Sequence, residues 1–202
     1  MKLILSKIKT YFGKLDKLLL FMCMGIACFA VFIQYTLYEN DISSAVTASQ
    51  YKTQIIAFIA GLVIAMALVA INYKYLAKLW FIYVPLAMGL TLLLFTPLGI
   101  QREGADDIGW LDLGIMTIQP SEILKLAFIL SLAVHLSKVE DRMNEPIHFI
   151  LLCIHGAIPT LLIRQTGDDG SALVFLFIFI CMMFAAGLSW KYLVMIAVAI
   201  PP

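Results

Sequence analysis

The chain has 202 residues, 62% of them hydrophobic and only 13% Asp, Glu, Lys or Arg, whereas ordinary soluble domains are about half apolar and about a quarter charged. That composition excludes a disordered chain, a nucleic-acid-binding domain and a conventional cytosolic enzyme. The net charge of +1 decides little, because in a membrane protein the placement of charge carries the information.

Residues 1–17 form a basic segment with Lys2, Lys7, Lys9, Lys14 and Lys17. Residues 18–202 read as one all-α polytopic membrane domain. A bilayer core takes about 20 mostly apolar residues per helix, which predicts spans over 18–37, 55–71, 79–98, 120–136, 147–163 and 172–188. The first is an uncleaved helix: its apolar run exceeds a signal-peptide core, and Glu39 and Asp41 precede the cleavage-like Val46-Thr47-Ala48. The second carries Ala57, Gly61 and Ala65 at intervals of four, a small-residue face that lets helix backbones approach. The apolar run after Lys191 begins a seventh helix without finishing it, so the chain reads as the N-terminal part of a longer protein or a truncated product. Cys23, Cys28, Cys153 and Cys181 lie inside apolar runs and read as packing residues.

Charge placement sets the orientation. With the N-terminus cytoplasmic, the inner segments hold the five cations above plus Lys74, Lys78, Lys138, Arg142 and Lys191, whereas the outer ones hold Lys52, Arg102 and Arg164. The outer loops are acidic, with Glu39, Asp41, Glu103, Asp106, Asp107, Asp112, Asp168 and Asp169.

Three polar stretches go beyond this sorting. The connector 101–119 alternates Gly104, Gly109 and Gly114 with Ile108, Trp110, Leu111, Leu113 and Ile115, too much apolar surface for a simple hydrophilic loop. It is expected to fold against the bundle or dip into the outer interface, where an indole suits a half-wet place; an anchor without chemistry remains the plainer alternative. Gln119-Pro120-Ser121-Glu122-Ile123-Leu124-Lys125 opens the fourth span, with Pro120 in the first helical turn. Glu122 and Lys125, three apart, share a helix face. A lysine at that depth is either a functional group facing the bundle interior or half of a structural ion pair that snorkels. At the end of the fifth span, Arg164 is followed by Asp168 and Asp169, which read as a helix cap or as a polar rim for a charged headgroup. His135 and His155 fall within spans and His148 near an inner end; they read as helix–helix hydrogen-bonding residues, and no pair has metal-ligand spacing.

Gly104-Ala105, Trp110-Leu111-Asp112-Leu113-Gly114, Gln119-Pro120-Ser121-Glu122 and Lys125-Leu126 together resemble the SEDS family (shape, elongation, division and sporulation), which includes RodA, FtsW and SpoVE. Gln165 with Asp168-Asp169-Gly170-Ser171-Ala172-Leu173, and Ala186-Gly187-Leu188-Ser189 with Lys191-Tyr192, extend the resemblance to the chain's end. Two extra residues precede Trp110, Gly109 stands where the family often has Arg, and Thr166-Gly167 replaces a single Pro; these departures suit a divergent, RodA-like branch of Gram-positive type. The resemblance implies a SEDS-type helical bundle in the bacterial cell membrane. It implies a peptidoglycan glycosyltransferase that polymerises lipid II, an undecaprenyl-diphosphate-linked precursor, at the outer face beside a class B penicillin-binding protein. No cofactor is expected and no metal site is assigned, and the residues do not decide whether a divalent cation is required. The family's catalytic Asp follows the seventh helix, so it is expected beyond residue 202; no catalytic residue is assigned here, and these 202 residues alone are expected to be inactive. The residues expected to line or brace the substrate cavity are Trp110, Gln119, Ser121, Glu122, Lys125, Arg164 and Asp168. Two alternatives stand beside the polymerase: a lipid II flippase, which would need an inner-facing polar opening, and a non-catalytic truncated scaffold that binds the penicillin-binding protein.

Overall fold

A computed structural model describes residues 13, 16–40, 48–70, 73–102, 104, 106–114, 117–189 and 191–192. Most of the basic segment 1–17 and the apolar run after Tyr192 lie outside the described residues. The helices are α1 (Lys17–Glu39), α2 (Ala48–Ala70), α3 (Tyr73–Lys78), α4 (Trp80–Leu92), α5 (Pro120–Val139), α6 (Pro146–Arg164) and α7 (Asp169–Ala185). Between α4 and α5 lie three short strands, β1 (Gly99–Ile100), β2 (Trp110–Asp112) and β3 (Thr117–Ile118). The chain is an all-α, multi-pass membrane bundle carrying one small sheet. Lys17–Glu39, Gln50–Leu68 and Pro146–Arg164 are each long and apolar enough to cross a bilayer, and Trp80–Phe95 and Asp169–Ala185 are shorter apolar helices.

The chain divides into two compact units, Met1–Tyr73 and Lys74–Pro202. In the first, α1 starts where the Asp16 carboxylate accepts from the Leu19 N–H (3.0 Å), and it stops where the Asn40 amide donates to the Thr36 carbonyl (2.8 Å). None of its residues is buried. A helix that is apolar all round yet unburied needs lipid as its solvent. Helix α2 packs beside it, and Tyr38 stacks on Tyr51 with ring centroids 6.2 Å apart. The small face Ala57, Gly61 and Ala65 borders a cavity of ≈ 330 Å³ shared with Cys23, Met24 and Ala27 of α1.

In the second unit α5 is the central element, packed on α4, α6 and α7. Its buried residues Leu124, Ala127, Phe128, Leu132, Leu136 and Val139 recur at helical spacing. They meet Ala87 of α4, Leu152 and Ile163 of α6, and Phe175, Phe179 and Met183 of α7 in one core. Its central place explains its polar sequence: the residues lipid would reject, among them Ser131 and His135, are turned toward neighbouring helices.

Two predicted boundaries shift for local reasons. The third span was expected to reach residue 98, but α4 ends through a 3-10 turn at Leu93–Phe95. Pro97 cannot donate a helical hydrogen bond and disfavours helix at Thr96, whose backbone is extended. The sixth begins at Asp169, three residues earlier than expected, and ends before Gly187, whose φ of +89° reverses the chain so that the Leu188 N–H meets the Met183 carbonyl at 3.1 Å.

Candidate functional site

The polar stretches converge at the end of the second unit that carries the sheet. Its register pairs Gly99 with Leu111, Ile100 with Trp110, Leu111 with Ile118 and Asp112 with Thr117, all antiparallel. Leu111, at the centre, is fully buried, so the connector 101–119 folds against the bundle as its apolar content implied. The sheet could not be read from a sequence whose strands are two or three residues long.

Two contacts pin the connector to the α6–α7 turn. The Ile108 N–H donates to the Thr166 carbonyl at 2.9 Å. Gly167, at φ +85°, packs its α-carbon against the Asp107 backbone, where an added Cβ would lie 3.3 Å from the Asp107 Cα. Thr166-Gly167, the pair that departs from the family pattern, is thus the pair that meets the connector. Above the sheet the Arg102 guanidinium lies 3.4 Å from the Trp110 ring centre, a cation–π contact that composition did not reveal.

Strand β3 runs directly into Gln119, the half-buried N-cap of α5, and Pro120 takes the first turn as expected. Ser121 is 2% exposed, and its hydroxyl has no hydrogen-bond partner among the described residues. Lys125 Nζ pairs with Glu122 Oε1 at 2.6 Å, the lysine side chain 17% exposed and the glutamate 60%. The spacing of three therefore does place the two groups together, with the glutamate side chain at the surface and the lysine side chain largely covered.

Across the turn, Arg164 Nε stands 3.6 Å from Asp169 Oδ1, both side chains well exposed. Asp168 Oδ1 accepts from the Ser171 N–H at 2.7 Å, so this carboxylate caps α7. The seven candidate residues thus fall into two groups, one on β2 and the α5 entry and one on the α6–α7 turn, joined through the Ile108–Thr166 bond. None of them lines the apolar cavity of ≈ 310 Å³ between α4, α5 and α6, whose polar lining residues are Ser131 and His155.

A lysine with a largely covered side chain and a buried, unpartnered hydroxyl one turn apart in the first turns of a helix suit an anionic ligand with a water-facing part. Comparison with known proteins agrees with the pattern that led here. The family model described as cell cycle protein, FTSW_RODA_SPOVE, matches residues 14–201. A relative from Geobacter sp. (strain M18), named probable peptidoglycan glycosyltransferase FtsW, is 31% identical over 200 residues, covering 92% of this chain and 52% of its own. The crystal structure of the Thermus thermophilus rod shape determining protein RodA aligns with a TM-score of 0.64 at 25% identity, over 87% of this chain and 58% of that one. A chain from a peptidoglycan synthase complex that coordinates polymerization and crosslinking aligns with a TM-score of 0.71 at 24% identity, over 89% of this chain and 50% of its own, a likeness of fold. The chain spans about half the length of the curated relatives it matches. With the match running from before α1 to beyond α7, this chain belongs to the FtsW–RodA–SpoVE family of cell cycle proteins.

Proposed function

We propose that the protein acts as a peptidoglycan glycosyltransferase, polymerising lipid II into glycan strands at the outer face of the bacterial cell membrane beside a class B penicillin-binding protein. The relatives' name and the complex that contains a similar fold support this reading. The excess of cations on one set of connectors supports a cytoplasmic N-terminus, six crossings and an outward-facing sheet.

Glycan polymerisation is glycosyl transfer with a lipid diphosphate as leaving group. It needs a carboxylate to take the acceptor hydroxyl proton and a cation to meet charge developing on the diphosphate. The polyprenyl tail requires lipid and the sugars require water, so both groups belong at the outer interface. Lys125 is the residue on which the reading rests: its side chain is 17% exposed, its ammonium pairs with Glu122 at 2.6 Å, and in this scheme the start of α5 lies at that boundary. In this scheme Lys125 or Arg164 meets phosphate, Ser121 and Gln119 frame the α5 entry, Trp110 braces the interface, and Asp168 shapes the rim by holding the start of α7. No residue of this chain is assigned as the base.

The test is to reconstitute the protein, produced from its own gene, in liposomes with labelled lipid II and to separate the products by size. Glycan strands identify a polymerase. Labelled lipid crossing the bilayer without strands identifies a flippase, and neither product leaves the scaffold role.

A further inference from the structure

At the end of the second unit opposite the sheet, cations collect without partners. Lys78 closes α3, Lys138 stands in the last turn of α5, Arg142 ends the 3-10 turn that follows, and Lys191 lies beyond α7. All four residues are exposed, and among the described residues none of them stands in an ion pair. The carboxylates at this end do not neutralise them: Glu145 stands 3.6 Å from His148, and Glu140 and Asp141 pair with no cation among the described residues.

Two of these cations frame one indole. Lys138 Nζ lies 5.8 Å from the centre of the Trp80 ring of α4, and Lys78 precedes Trp80 by two residues. That ring contact leaves the three hydrogens of the Lys138 ammonium available to an acceptor. Along α4 from this point, Leu79, Ile82 and Leu86 recur at spacings of three and four and are 45%, 47% and 63% exposed. An apolar stripe therefore begins where the cations stand.

We propose that Lys78, Trp80 and Lys138 form a headgroup site for an anionic phospholipid. The lipid phosphate meets the two ammonium groups, the indole lies at headgroup level, and the acyl chains follow the α4 stripe. The stripe is what selects a lipid: a soluble anion would use the cations alone, whereas an amphiphile uses both surfaces at once. A zwitterionic lipid brings its own cation to the two lysines and gains less. The site lies at the other end of the unit from the residues of the proposed function and does not depend on that reading.

The test uses the full chain with Trp110→Phe and Trp190→Phe, so that Trp80 is the sole tryptophan. It is placed in nanodiscs of equal parts phosphatidylglycerol and phosphatidylcholine, with bromine in the acyl chains of one lipid or of the other, and quenching of Trp80 emission is read. A lysine near an anionic headgroup enriches it by up to about fivefold. Brominated phosphatidylglycerol is therefore expected to quench at least about twice as strongly as brominated phosphatidylcholine. Lys78→Gln with Lys138→Gln should bring the two lipids to parity. Equal quenching before those substitutions overturns the site, as does a preference that survives them. Should the sole-tryptophan chain not fold, mass spectrometry of wild type released from the same mixed nanodiscs decides: preferential retention of phosphatidylglycerol that Lys78→Gln with Lys138→Gln removes supports the site, and equal retention of the two lipids overturns it.

Discussion

Gly156 on α6 is where Phe179 of α7 crosses, and the crossing leaves no room for a methyl group. A Cβ there would lie 2.6 Å from Phe179 Cδ2 and 2.9 Å from Cε2 and Cγ, against a favourable carbon–carbon separation of about 3.5–4.0 Å. The ring must retreat by about 1 Å, yet it is 4% exposed in a core of interior density. Helix α7 cannot simply shift, because Phe175, one turn earlier, is fully buried with its ring 5.5 Å from Phe128 of α5. Overpacking of this kind costs about 1–3 kcal/mol, and for about 200 residues a central value of about 2 kcal/mol lowers the melting midpoint by roughly 4–8 °C. Gly156→Ala, unfolded thermally in nanodiscs, is expected to fall by that amount. Phe179→Leu in the same chain should return part of the loss, whereas alone it should only destabilise, so the pair should be coupled by about 0.5–3 kcal/mol. A Gly156→Ala protein melting within about 1 °C of wild type, or a Phe179→Leu effect equal in both backgrounds, would refute this picture of the α6–α7 crossing.

Further outcomes follow from the sheet end of the bundle. Asp168→Ala removes the cap of α7 and should cost about 1 kcal/mol, with Asp168→Ser retaining most of it, as read from unfolding midpoints. Gly167→Ala imposes a side chain at φ +85°, costing about 1–2 kcal/mol and loosening the connector, so limited proteolysis within 101–119 should quicken. Arg102→Gln removes the cation over Trp110 and should cost about 0.5–1 kcal/mol, with a change in tryptophan emission that Arg102→Lys largely avoids.

Much of this architecture was legible because membrane helices declare themselves by length and apolarity. All six predicted spans overlap helices, and Pro120, Asp168 and Gly187 mark helix ends for the backbone reasons their residue types imply. The Glu122–Lys125 pair followed from spacing alone, because a helix fixes which residues share a face. Less legible were contacts between segments far apart in sequence. Ile108 with Thr166, Arg102 with Trp110 and His135 with His155 depend on how helices and loops dock, which no local pattern encodes. Asp168 shows the limit from the other side: a cap and a polar rim need the same residue at the same place, and only the bond to the Ser171 N–H made its capping role visible.

The most direct test of the central claim is glycan synthesis from lipid II by the reconstituted protein carrying Lys125→Met, measured beside wild type at matched protein level. The account predicts strands from the wild-type product of the whole gene and none from the variant of that same product, with both proteins melting as folded bundles. Strand synthesis by Lys125→Met at the wild-type rate would contradict it and reduce the Lys125–Glu122 pair to a structural contact.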